Sequence, residues 1–220
     1  MEPTTHRSAA VRDGLGVGLA VGLSGLAFGA AAITAGLSVP QACVLSLLAF
    51  TGASQFALTG AVGAGGDLLA AGLGALLLGG RNTLYGLRLA DLLQVRGPRK
   101  LLAAHGVIDE TTAVAMAQPD PRSARTGFVT TFATLYITWN LTTLAGAYGT
   151  SSLGDPGVLG LDVVGPMAFL AILWPRLKDS GELRALAAGA AAIALCATPF
   201  FPPGVPVLLS AAAVLVVMVR

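Results

Sequence analysis

Seven apolar stretches dominate the chain, at residues 14–36, 41–62, 68–93, 126–149, 159–175, 185–199 and 204–219. About 20 consecutive apolar residues span a bilayer as a helix. Charged residues are 11% and hydrophobic ones 55% of the 220, where a soluble domain carries about 25% charged residues. A chain so poor in charge cannot cover a water-facing surface. The 29 glycines fit the same reading, because membrane helices use glycine to bring backbones together. The pattern predicts an all-α polytopic membrane protein of about six spanning helices plus re-entrant or broken segments. Residues 1–13, with Arg7 and Arg12, followed by an apolar run, have the look of a signal peptide. The run extends to Gly36, longer than such peptides need, so it is read as a first membrane helix.

Basic residues order the loops. Arg7/Arg12, Arg96/Arg99/Lys100, Arg122/Arg125 and Arg176/Lys178/Arg184 form four clusters, and the turns near 37–40, 150–158 and 200–206 hold none. The positive-inside rule puts 1–13, 94–125 and 176–184 in the cytoplasm. The chain then divides into a cytoplasmic tail (1–13), an N-terminal membrane half with broken helices (14–93), a polar cytoplasmic-side linker with a short helix (94–125) and a C-terminal membrane half of four segments (126–220). Three full crossings in 14–93 would put Arg96, Arg99 and Lys100 outside. One stretch must therefore turn back or break. The stretch 41–62 is interrupted at Thr51-Gly52-Ala53-Ser54-Gln55, and 68–93 at Gly79-Gly80-Arg81-Asn82. A faint internal duplication relates Gly36-Leu37-Ser38-Val39-Pro40 to Gly160-Leu161-Asp162-Val163-Val164-Gly165-Pro166, and the break at 79–82 to the one at Pro199 to Gly204.

Arg81 carries the sharpest chemistry. An arginine at the bilayer centre costs about 2.5–3.5 kcal/mol on insertion scales, so it faces a partner or water. Its planar fork suits a carboxylate. Tyr85 and Arg88 share its helix face, and Asp91 is placed to pair with Arg88. Asp109 and Glu110 are the natural counter-charges. His105 precedes Asp109 by one helical turn, and such a pair could relay protons; alternatively Asp109 is the N-cap of a helix starting at Glu110. Ser54 and Gln55 offer polar groups to a zwitterionic solute, or Gln55 makes an interhelical hydrogen bond. Trp139 either lines the site or packs against a neighbour. Gly14, Gly18, Gly22, Gly25 and Gly29 form one helix face, read as a packing surface for a helix of this chain or of another protein. Cys43 and Cys196 read as buried thiols rather than a disulfide or a metal pair.

Enzyme signals are thin: no HExxH, Walker A or CxxC occurs, and Gly52-Ala53-Ser54-Gln55 lacks the histidine base that a serine nucleophile needs nearby. The net charge of +2 without a basic–aromatic run excludes a nucleic-acid partner. No cofactor or metal is expected.

The run Phe50-Thr51-Gly52-Ala53-Ser54-Gln55-Phe56, then Arg81-Asn82-Thr83-Leu84-Tyr85-Gly86, Asp109-Glu110-Thr111, Trp139 with Gly146, and Gly160-Leu161-Asp162 with Pro166 resembles the AzlC family, the large subunit of branched-chain amino-acid exporters. The resemblance implies a plasma-membrane permease with a small hydrophobic partner of the AzlD type. Where the family pattern reads Asn-x-Arg-His, this chain has Gly79 and Asn82 around a retained Arg81. The expectation is a secondary exporter of branched-chain or similar small apolar amino acids, driven by an ion gradient. Its substrate groups are Arg81, Gln55, Ser54, Asn82, Asp109, Glu110 and Trp139, and its proton-coupling candidates are Asp109, Glu110 and His105. The alternative is a non-transporting membrane scaffold or assembly subunit, suggested by the glycine face.

Overall fold

The computed structural model describes residues 3–153, 167, 170, 173–174, 177–201, 205–210 and 212–214. The repeat partner at 160–166, most of the 159–175 stretch and part of the 204–219 stretch lie outside them. Among the described residues all regular structure is helical: α1 (Pro3–Gly22), α2 (Gly25–Thr34), α3 (Val39–Leu48), α4 (Ala53–Gly63), α5 (Leu68–Gly79), α6 (Arg81–Leu93), α7 (Arg99–His105), α8 (Asp109–Met116), α9 (Pro121–Ser151), α10 (Gly181–Ala197) and α11 (Val205–Ser210).

The axis of the fold is the pair formed by α1–α2 and α9. His6–Thr34 is the one described segment long and apolar enough to cross a membrane, with mean hydropathy 1.8 over its best window. Its glycine face lies directly on α9. A β-carbon on Gly14, Gly18 or Gly22 would come within 3.0, 2.7 and 2.6 Å of the Cβ atoms of Thr130, Thr134 and Thr138. Gly25 meets Thr142 and the Trp139 carbonyl, Gly29 the backbone of Thr143 and Ala147, and Gly146 the Leu26 carbonyl. Contact numbers rise together along both elements, so the two run parallel. The packing reading of the glycine face is therefore correct, and its partner is within the chain. The backbone between α1 and α2 slips to a tighter bond, Leu26 N–H to Leu23 O, which leaves the Gly22 carbonyl unused by the helix. The Thr142 hydroxyl donates to it at 2.7 Å.

Between these two parallel elements lie two hairpins and one interrupted helix. The α3 helix starts at a capping box, where Gln41 Oε1 accepts from the Ser38 N–H at 2.8 Å. It then runs antiparallel to α9: Ser46 Oγ lies 3.3 Å from Thr143 Oγ1, the Tyr136 hydroxyl donates to Leu47 O at 3.2 Å, and Phe50 meets Tyr136 edge-on at 5.0 Å. At 49–52 the helix ends, and α4 turns back until Gly63 touches Ala35, 3.1 Å from a β-carbon there. The chain has returned to the end it came from. The α5–α6 rod then traverses the whole height. Asp67 caps its start through Ala70 N–H, Gly80 interrupts it, and its foot is tied to the start of α9 by Arg125 Nε and Nη2 donating to Leu92 O and Gln94 Oε1 at 3.2 and 3.0 Å.

The second hairpin comes from that lower end. The α7 helix rises to His105 and Gly106, where Gly106 sits against the Phe132 ring, and α8 descends until Val114 reaches Gly127. Phe132 is eleven residues above the first residue of α9, about 16 Å at 1.5 Å per residue. Thr111, fully buried, holds this tip: its hydroxyl donates to Gly106 O at 2.6 Å and accepts from Ile108 N–H at 3.1 Å. The two hairpin tips meet, with Phe50 and His105 ring centroids 6.0 Å apart. Cys43 is half-buried and Cys196 exposed; both are free, so the expectation of two buried thiols fails for Cys196, which lies on the outer side of α10.

Candidate functional site

The two interruptions foreseen in the sequence come together where the hairpin tips meet. Gly52 adopts φ 57, ψ −79, a backbone region that side-chain-bearing residues avoid, and this reverses the chain. The Gln55 amide spans the gap: its Oε1 accepts from Gly52 N–H at 3.2 Å and its Nε2 donates to Leu45 O at 3.1 Å. Gln55 is fully buried. Its polar atoms serve the backbone of the break, which corrects the expectation that the amide is offered to a solute. Ser54, also buried, faces the second interruption, with its hydroxyl 3.2 Å from a β-carbon placed on Gly79.

Just beyond that interruption, Arg81 opens α6 and reaches the first residue of α8. Its Nη2 lies 2.5 Å from Asp109 Oδ2, and the Tyr85 hydroxyl donates to Asp109 Oδ1 at 2.9 Å. Both oxygens of one carboxylate are thus bound by α6. The Arg81 and Asp109 side chains are 37% and 32% exposed, so the pair is reachable rather than sealed. Tyr85 is the participant that sequence reasoning placed only on the right face; its i+4 spacing from Arg81 was the signal.

Several expectations need correction. His105 does not pair with Asp109. Residues 106–108 are not helical, so the one-turn spacing never forms, and the imidazole packs among Phe50, Phe132 and Tyr136. Asp109 is the first helical residue and not the cap; Ile108 occupies the cap position, and its N–H is served by Thr111. Arg88 and Asp91 are both exposed and form no ion pair. Trp139 is core: it stacks on Phe28 at 6.0 Å and meets Phe56 edge-on at 6.4 Å. Glu110 is half-buried beside Asp109.

Asn82 is half-buried on the wall of a groove of about 550 Å³ between α6 and α7, which it lines with Thr83, Gly86, Leu89, Val107 and Lys100. Two buried polar atoms without a protein partner, Arg81 Nε and Asn82 Oδ1, stand at the start of α6 beside the ion pair; others are Thr51 Oγ1, Thr112 Oγ1, Trp139 Nε1 and Asn140 Oδ1. Groups of this kind are costly in a purely structural core and suit a site that takes polar ligands. No cluster of metal-ligating side chains occurs among the described residues.

A family model described as "AzlC protein" matches residues 16–153. The chain belongs to the AzlC family. The match runs from the glycine face of α1 to the end of α9 and so takes in both hairpins, the interrupted rod and the Arg81–Asp109 pair. AzlC proteins are transport-associated, which gives this chain a membrane-transport role. Nothing among curated proteins or solved structures matches the chain.

Proposed function

We propose that the chain is a multi-pass secondary transporter subunit that exports branched-chain or similar small apolar amino acids across the plasma membrane, working with a small hydrophobic AzlD-type subunit. The membrane reading is supported by an inverted distribution of polarity. Gln55, Thr59, Thr111, Thr131, Thr143 and Ser46 are fully buried, while the leucines of α5 and α6, such as Leu69, Leu76 and Leu87, point outward. Lipid-facing helices are apolar outside and pack through small and hydroxyl residues. In this reading α1–α2 crosses as the apolar span, the more polar α9 crosses with its threonines turned onto α1–α2, the two shorter helices α5 and α6 cross together, α3–α4 re-enters from outside and α7–α8 from the cytoplasm, with the N-terminus inside.

The observation that carries the function is the Arg81 guanidinium at a helix interruption where two re-entrant tips converge. Irregular backbone is tolerated at membrane depth only beside protein or a wet cavity, and interrupted helices of this kind form substrate sites in secondary transporters. Arg81 takes the substrate carboxylate, Asn82 and the groove walls the remainder, and the apolar groove suits an aliphatic side chain. The scaffold alternative loses its motive, since the glycine face is fully occupied by α9.

The test is efflux of labelled leucine, isoleucine and valine from cells expressing the chain with its partner. Arg81→Lys should fold and reduce efflux at least about tenfold, because an ammonium cannot reproduce the two-pronged contact. Unchanged efflux in Arg81→Lys would remove Arg81 from substrate binding.

A further inference from the structure

We propose that the Arg81–Asp109 pair is a latch with two mutually exclusive keys, the amino-acid zwitterion and the proton, so that Asp109 is the residue that couples the two. The inference rests on the transport reading above. Asp109 has both oxygens engaged by α6, one by Arg81 and one by the Tyr85 hydroxyl at 2.9 Å. The contact ties the tip of the α7–α8 hairpin to the rod immediately after its interruption, and both side chains remain about one-third exposed. It is a closed bond between two elements that part if the carboxylate finds another partner.

An α-amino acid carries the matching pair of charges. Its carboxylate replaces Asp109 on the Arg81 fork, and its ammonium replaces Arg81 on Asp109. The site then opens with every charge still compensated, which matters because an unpaired charge at membrane depth is costly. A molecule with only one of the two groups leaves either Arg81 or Asp109 unpaired.

A proton opens the same bond by another route. An O–H bond forms at Asp109 Oδ2 with a proton from water on the outer side, and the neutral carboxyl no longer holds the guanidinium or a substrate ammonium; the Arg81 side chain, 37% exposed, is then compensated by water of the opened site and not by a carboxylate. The substrate leaves as the intact zwitterion. On the cytoplasmic side the proton returns to water and the ion pair closes again. No electrons move, and one proton enters for one amino acid released. Since the latch holds the empty protein still, and since zwitterion and proton compete for Asp109, the arrangement gives exchange of one for the other.

Asp109 is assigned this role because it is the carboxylate bonded to Arg81. From α6, Arg81 and Tyr85 bond to it, and the half-buried Glu110 adjoins it on α8. His105 of α7 is turned into the aromatic cluster. On α1 and α9 the charged groups Arg7, Arg12, Asp13, Arg122 and Arg125 all stand in the first turns at the basic end, and none bonds to Asp109.

The experiment is equilibrium binding of labelled leucine to the full chain purified with its partner, with 4-methylpentanoate and 3-methylbutylamine as competitors lacking one charge each. In the wild type, leucine should outcompete either half-molecule by at least about tenfold, and acidification should weaken leucine binding competitively. In Asp109→Asn the pH response should vanish and 4-methylpentanoate should bind as well as leucine; Asp109→Glu should restore both properties. Should Asp109→Asn fail to give a single chromatographic peak, Tyr85→Phe decides. Losing the hydroxyl bond frees Asp109 Oδ1 from α6, so acidification should displace leucine from Tyr85→Phe more readily than from the wild type. Wild-type leucine binding that ignores pH, or an Asp109→Asn variant that keeps the preference for the ammonium, overturns the latch and leaves the transport reading standing. A wild type that binds no aliphatic amino acid overturns both.

Discussion

Gly146 and Gly149 lie three residues apart on α9, and alanine at the two positions should change stability in opposite directions. A β-carbon on Gly146 would overlap the Leu26 carbonyl oxygen and press on Leu26 Cα, which is backbone and cannot rotate away. Relief requires α2 to move off α9. That movement strains a close-packed face, which costs about 1–3 kcal/mol for over-packing. It also stretches the 2.7 Å bond from the Thr142 hydroxyl to Gly22 O, worth about 1 kcal/mol. The expected loss is the sum, about 2–4 kcal/mol, or about 4–16 °C at 2–4 °C per kcal/mol for a chain of this size. Gly149 has nothing within 4 Å of its virtual β-carbon, so Gly149→Ala should add up to about 1 kcal/mol through helix propensity. The assay is the fraction of detergent-solubilised protein that still elutes as a monodisperse peak after heating. Equal melting temperatures for the two variants would refute the direct backbone-on-backbone packing of α2 and α9.

Gly52→Ala should cost about 1–3 kcal/mol through backbone strain at φ 57, since the nearest atom, Trp139 Cη2 at 3.7 Å, leaves room for the methyl group; Gly60→Ala on the same helix has open space and should be neutral or stabilising in the same thermal assay. Asp120 caps α9, and its carboxyl is held below the ordinary 3.8 chiefly by the Ser123 N–H, then by the Ser123 hydroxyl and the Arg122 N–H. Its contribution to stability is therefore full above that ordinary value and fades as pH falls through the lowered one, so Asp120→Asn should flatten the acid limb of a stability–pH curve and leave the neutral region little changed. In a background without Cys43 and Cys196, Pro98→Cys should resist an impermeant thiol reagent applied to intact cells and react after lysis; labelling from outside would reverse the proposed orientation.

Much of the site was legible because a charge in an apolar run is expensive. Arg81 had to have a partner, and Asp109 and Glu110 were the carboxylates of the one polar stretch nearby; which of the two bonds to it is seen only in the structure. The glycine spacing likewise gave a packing face. What the sequence could not convey was the end-on geometry of α7 and α8. The spacing of His105 and Asp109 satisfies a helix, yet Gly106-Val107-Ile108 forms a tip instead, closed by the Thr111 hydroxyl on Gly106 O. Hydrogen bonds of that kind follow from where α9 places Phe132 against Gly106, a contact 26 residues away in sequence. Gln55 was ambiguous for a related reason: an amide after a glycine break serves equally well to close the break or to face a ligand, and only the position of Leu45 O decides between them.

The charge pattern required that an odd number of the stretches before residue 94 fail to cross, and two candidates carried similar breaks. Backbone conformation separates them. Gly80, at φ −56 and ψ −29, stays in helical space, so α5 continues into α6 in the same general direction and the rod reaches Arg125 at the basic end. Gly52, at φ 57 and ψ −79, leaves helical space altogether, and α4 returns to Ala35. The parallel packing of α1–α2 on α9 supplies an independent count. Both elements begin at the same end, as the run of contacts from Gly14 on Thr130 to Gly29 on Thr143 requires, so the chain between Thr34 and Pro121 must traverse the height an odd number of times. With α3–α4 and α7–α8 each returning to its own end, α5–α6 is that single traverse. Side-chain packing and loop charge thus reach the same parity from unrelated physics, dispersion and close approach in one case and the asymmetric distribution of lysine and arginine in the other. The same parity sets the two tips against each other from opposite ends, and this brings Arg81 and Asp109 within bonding distance.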